Sequence, residues 1–153
     1  MKQLVDLRFT GIKSKELSHP VMVLESAFSQ TQLYIAVNPF DANRLGLSIL
    51  RFLNYSADNT LHRLMTALGG RLYMVTLEQE KEVVACFLHV RTSYGVEKIE
   101  ARPGEGVYMA LEEQVPLRGE ESLFALGKTQ KKRSLAERIR RKQTEELATY
   151  HLQ

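Results

Sequence analysis

The chain has 153 residues, 44% hydrophobic and 25% charged, the balance of an ordinary globular protein with enough length to bury a core. Its formal charge of +3 is unevenly placed: residues 128–153 hold eight Lys/Arg and three Glu, about +5, against 13 Lys/Arg and 15 Asp/Glu, about −2, in the rest. That division argues against a general affinity of the body for nucleic acid. A single cysteine excludes an intramolecular disulfide and suits a reducing compartment; with no leader-like or membrane-spanning apolar run, a cytoplasmic protein with no membrane partner is expected.

In chain order, Val5, Leu7 and Phe9 alternate with Asp6, Arg8 and Thr10, the period of a half-buried strand. Val21 to Leu24 and Leu33 to Val37 read as two more strands, joined by a hairpin around Ser29-Gln30. Asn38-Pro39-Phe40-Asp41 reads as a helix start: Asn38 caps, Pro39 takes the first helical position and Asp41 faces the free N–H groups of the first turn. Leu45, Ile49, Phe52 and Leu53 then form one apolar face, running to about Asn54. Asp58 or Asn59 caps a second helix, with Leu61, Leu64, Met65 and Leu68 expected inward and Gly69-Gly70 ending it.

Arg71 to Leu77 and Glu82 to Thr92 read as strands around a loop at Glu78-Gln79-Glu80-Lys81. Val84, Cys86, Leu88 and Val90 give the second one a wholly apolar face, and Val83, Ala85, Phe87 and His89 the opposite one, so a central strand is expected. Tyr94-Gly95 turns into a further strand, and a third helix follows it. Val115 to Leu117 reads as a short edge strand and Glu120 to Leu126 as a short helix. Ser134-Leu135-Ala136-Glu137 is a capping box that opens a helix from about Leu135 to Tyr150, with only Leu135, Ile139 and Leu147 on its apolar stripe.

The stretch Ile99-Glu100-Ala101-Arg102-Pro103-Gly104-Glu105-Gly106 connects that last strand to the third helix. A residue before proline leaves the α region, and Pro103 fits the first helical position. Val107, Ala110 and Leu111 give the helix a core face. Gly104 and Gly106 each weaken a helix by roughly 1 kcal/mol relative to alanine, which points to a close approach by a ligand or another backbone. Ile99 to Leu117 resembles the Ile-Asp-Ala-Arg-Pro-Ser-Asp-Ala segment and following helix of the bifunctional nuclease domain family. A weaker similarity extends back to about Pro20, through Leu33-Tyr34-Ile35 and Phe40-Asp41-Ala42. The resemblance implies a small α+β domain and DNase or RNase activity. It breaks before the second helix, where the family's Arg-Pro-Thr-His-Asp-Leu is replaced by Tyr55-Ser56-Ala57-Asp58-Asn59-Thr60-Leu61, without the His-Asp pair.

Glu100, Arg102, Glu105 and Asp41 are the candidate catalytic residues. Arg102 either binds a phosphate through its planar fork or pairs with Glu100 or another carboxylate inside the fold. Glu105 either holds a divalent cation or acts as a base, or it complements the helix N-terminus. Asp41 either shares a metal site with Glu105 or caps its helix. Lys131, Lys132, Arg133, Arg138, Arg140, Arg141 and Lys142 are candidates for DNA or RNA contact. Cys86, on an apolar strand face, is read as packing, and His62 as a surface or cap residue. No spacing resembles a zinc site.

Together these readings predict an α+β fold, with a mainly antiparallel or mixed sheet packed with helices over 1–127 and a basic C-terminal helical extension over 128–153. The resemblance implies a nuclease that hydrolyses DNA or RNA phosphodiesters with a divalent metal ion. The alternative is a non-catalytic nucleic-acid-binding or protein-assembly module on the same scaffold. A homo-oligomer is compatible with either.

Overall fold

A computed structural model describes residues 2–13, 20–49 and 60–125. The elements run β1 (Leu4–Lys13), β2 (Val21–Ser26), β3 (Gln32–Ala36), α1 (Pro39–Ile49), α2 (Thr60–Ala67), β4 (Arg71–Glu80), β5 (Val83–Thr92), β6 (Gly95–Ala101), α3 (Pro103–Glu113) and β7 (Leu117–Glu120), followed by one helical turn at 122–125. The strands form one mixed seven-stranded sheet in the order β3-β2-β1-β7-β4-β5-β6. Every pairing is antiparallel except β4 with β7. This is the expected α+β architecture. No helix among the described residues is long and apolar enough to cross a membrane.

The two faces of the sheet differ in chemistry. Leu7 on β1, Leu117 on β7, Val75 and Leu77 on β4, and Cys86, Leu88 and Val90 on β5 point to the helix side and form the core with Met22, Leu24, Val107 and Ala110. Val75 lies opposite Leu88, and Leu77 opposite Cys86, so successive apolar residues fall on one face. The other face is polar. Arg118 pairs with Asp6 at 3.0 Å, Lys98 with Glu78 at 2.8 Å, and Arg8 with Glu25 at 3.5 Å.

Four expectations are corrected. The segment expected as an edge strand at Val115 to Leu117 begins instead at Leu117 and lies in the middle of the sheet, between β1 and β4. Its shortness suggested an edge, yet Leu117, Gly119 and Glu120 are buried, and Gly119 leaves room for Leu7, whose Cδ1 stands 2.6 Å from where a Cβ would sit. The β4–β5 loop is Lys81-Glu82 rather than Glu78 to Lys81; Glu78 and Gln79 are polar because they continue the strand, paired with Ala85 and Val84. Leu64 on α2 and Leu68 in the turn that ends it, both expected inward, point outward, 54% and 77% exposed. Among the described residues, strand β5 is paired on both sides, by β4 and β6, but lies next to the edge of the sheet, and the side bearing Val83 and Phe87 faces the polar side and not a second core. The caps proposed at Asp58 and Asn59, the continuation of the first helix beyond Ile49, and the whole basic segment 128–153 lie outside the described residues.

Candidate functional site

The starts of α1 and α3 meet, and each is shaped by its sequence. Asn38 caps α1, its Oδ1 accepting the Asp41 backbone N–H at 2.7 Å. Arg102 takes an extended conformation (φ −65°, ψ 143°) before Pro103 at the first turn of α3, as a residue preceding proline should. The two starts approach so closely that a Cβ on Gly104 would lie 2.8 Å from Asp41 Cβ and 3.1 Å from Val37 Cγ1. Two residues further on, a Cβ on Gly106 would overlap Cys86 Sγ. The close approach expected at these glycines from a ligand or another backbone is made instead by side chains of α1, of the β3–α1 connection and of β5.

Arg102 closes this junction. Its Nε donates to Asp41 Oδ2 at 3.1 Å and its Nη2 to Oδ1 at 3.3 Å, while Nη1 stands 3.7 Å from Glu105 Oε2. Asp41 is 2% exposed, whereas the Arg102 side chain is 55% exposed, so the guanidinium covers the carboxylate from the solvent side. The hydrogen bond to Asp41, and then the charges of Asp41 and Glu105, raise the Arg102 pKa further above its ordinary value. Both Asp41 oxygens are thus engaged by a cation, and the carboxylate sits at the start of its helix, where the dipole also favours it. A divalent cation binding Asp41 would have to displace Arg102. Glu105 keeps a third of its side-chain surface and is the more accessible acid.

The structure therefore brings Asp41, Arg102 and Glu105 together on one side of the domain, with the guanidinium between the acids. Glu100 is apart from this trio, exposed on β6 opposite Phe87; Arg102 turns to Asp41 instead. Among the described residues, no group of three or more His, Cys, Asp or Glu is placed to hold a metal ion. His62 pairs with Glu113 at 2.7 Å and is half exposed on the surface of α2. Cys86 is fully buried, and burial pushes its thiol up to about 12.

Two features were not singled out from sequence. On the polar face of the sheet, His89 Nε2 lies 2.8 Å from the Thr76 hydroxyl, which also reaches Glu78 at 3.3 Å. Burial, and next the Lys98 charge, lower the His89 pKa, opposed by Glu78. The available signal was the strand alternation, which puts His89, Thr76 and Lys98 on one face once the β4-β5-β6 register is known. The second is a groove of about 470 Å³ where β1 and β7 diverge, lined by Asp6, Arg8, Phe9, Leu111, Val115 and Arg118 among others. None of the candidate catalytic residues lines it, and its charged rim is paired internally.

No protein-family model matches the chain, and no curated protein matches it. The likeness to the bifunctional nuclease domain rests on the residues quoted above.

Proposed function

We propose that this protein is a non-catalytic nucleic-acid-binding module, in which the α+β domain of residues 1–127 is a scaffold and the basic segment 128–153 makes the phosphate contacts. The observation that carries the non-catalytic part is the engagement of both Asp41 oxygens by Arg102 in a 2%-exposed position. A carboxylate so held neutralises its partner and ties two helix starts together. The binding part is supported by charge: 128–153 carries eight Lys/Arg against three Glu, and the remainder is net negative. The single cysteine, buried in the core, fits work in the reducing cytoplasm.

The test is a salt titration of binding to one labelled oligonucleotide, with the full chain and with a chain ending at Gly127. If about four basic side chains contact duplex phosphates, log K falls against log salt with a slope of about −3.6 for the full chain. The shortened chain keeps its fold and loses most of the affinity. Equal affinity and slope for both would place binding in the domain and overturn this reading.

A second reading has one observation in its favour. Asp41 and Glu105 converge on a single guanidinium, so two acids and an exposed arginine share a patch that a phosphodiester could approach. On that reading a divalent cation would take the place of Arg102 beside Asp41, and Arg102 would turn to the phosphate. Cleavage that requires added Mg²⁺ or Mn²⁺ and is lost in Glu105→Ala would establish it in place of the first.

A further inference from the structure

Among the described residues, strand β6 ends the sheet, and Gly95 to Glu100 are all exposed. An uncovered edge of this length presents a row of unpaired N–H and C=O groups. Which residues present them follows from the hairpin. Thr92 and Gly95 close the two-residue loop as paired residues, and hydrogen-bonded positions alternate along an antiparallel ladder. Counting by twos, Gly95, Glu97, Ile99 and Ala101 bond to β5, while Val96, Lys98 and Glu100 turn their backbone groups to the open edge.

From this geometry we infer that β6 pairs with β6 of a second copy of the chain, antiparallel about a two-fold axis at Ile99. In a two-fold strand pair each contact occurs twice, and facing residues share a face of the sheet. An axis at Glu97 or Glu100 sets that glutamate against itself, and an axis at Lys98 sets lysine against lysine; like charges directly opposite destabilise a sheet. The axis at Ile99 places Lys98 opposite Glu100 of the second copy, and Glu100 opposite Lys98. Both residues of each pair present backbone groups at the edge, so the ion pairs coincide with the hydrogen-bonded positions. Glu97 falls opposite alanine, and the two copies of Ile99 meet on the helix side. Ile99 is 48% exposed there and lies opposite Leu88, a member of the core; pairing would cover it and extend each core to its neighbour. The Glu97-Lys98-Ile99-Glu100 order is therefore self-complementary in one register.

The test is sedimentation equilibrium on the full chain across a wide concentration range, with circular dichroism to confirm folding. The wild type is expected to dimerise. Lys98→Glu and Glu100→Lys should each raise the dimer dissociation constant about tenfold or more, because two symmetric attractions become two repulsions. The double variant Lys98→Glu/Glu100→Lys reverses both partners and should return toward the wild-type value. Lys98 also pairs with Glu78 in its own chain, and that contact is lost equally in Lys98→Glu and in the double variant, so rescue of Lys98→Glu by the second change reports the intermolecular pair alone. If Lys98→Glu fails to fold, Glu100→Lys, which leaves that contact intact, still tests the register. A wild type that remains monomeric, a dimer indifferent to the single changes, or a double variant no better than either single one overturns the inference.

Discussion

Helices α3 and α2 carry similar apolar patterns and end in opposite situations. In α3, Val107, Met109 and Ala110 are buried against the sheet, and the helix is fixed at its start by the Asp41–Arg102 pair and by glycines that admit Asp41 and Cys86. In α2, Met65 packs against the core, but Leu64, and Leu68 just past the helix end, face outward. Periodicity identifies which face of a helix is apolar, whereas coverage depends on what the rest of the chain brings to that face. The glycines of α3 are the trace of that coverage, since small residues at a helix start are needed only where something comes close.

The change that should separate the two helices most is Gly106→Ala. Its Cβ would overlap Cys86 Sγ and come within 3.3 Å of Val75 Cγ1, and a strand and a helix in a common core cannot both retreat freely. Overpacking of this kind is expected to remove about 3 kcal/mol of stability, measured by urea unfolding. Cys86→Ala in the same chain removes the sulfur and leaves a neighbour at ordinary distance, since Cys86 Cβ lies 3.7 Å away. The double variant should therefore be more stable than Gly106→Ala alone. A double variant that is no better would mean the strain lies with Val75 and that the Gly106–Cys86 contact does not govern the packing of α3.

Much of this was legible in the residues. The helix starts at Pro39 and Pro103, the β1, β2, β5 and β6 strands and the burial of Cys86 all follow from alternation, proline placement and capping. The glycines around Glu105 signalled a close approach, but not that Asp41, 61 positions from Arg102 in the chain, would be its partner. Ion pairs between distant segments leave no local mark, which is why Arg102 was left open between phosphate and carboxylate. The place of β7 was hidden for a related reason: a strand of four residues carries almost no periodicity, and its central position comes from pairing with β1 at the start of the chain and with β4 in its middle.

Burial of Cys86 against α3 also predicts an alkaline weakness that α2 does not share. The folded thiol is raised from 9.0 to about 12, so above pH 9 the unfolded chain loses this proton while the folded chain retains it. Stability contributed by the neutral thiol is therefore fully present below pH 9 and declines as pH rises toward 12. By pH 10 the loss amounts to about 1.4 kcal/mol. Tyrosines and lysines titrate in the same range, so the quantity to measure is the difference between wild type and Cys86→Ala in urea unfolding at pH 8 and pH 10. A difference that does not change with pH would show that water reaches the thiol and that α3 covers it less tightly than its glycines imply.

The smallest effect is expected on α2. Leu64→Gln and Leu68→Gln replace exposed leucines with a residue of comparable helix propensity, and each should shift stability by no more than about 0.5 kcal/mol. The comparison rests on burial: a leucine that leaves water on folding contributes about 1.5–3 kcal/mol, and these two retain 54% and 77% of their exposure. Neither change touches Met65, the α2 side chain that packs on the core, nor Gly70, whose backbone lies beside Val90 and Thr92. Urea unfolding of both single variants at neutral pH, beside Gly106→Ala, gives the contrast directly. A loss of about 2 kcal/mol at Leu64 or Leu68 would mean that another surface covers α2 in solution. The two helices would then differ in what covers them, and α2 would join α3 as a packed element of the fold.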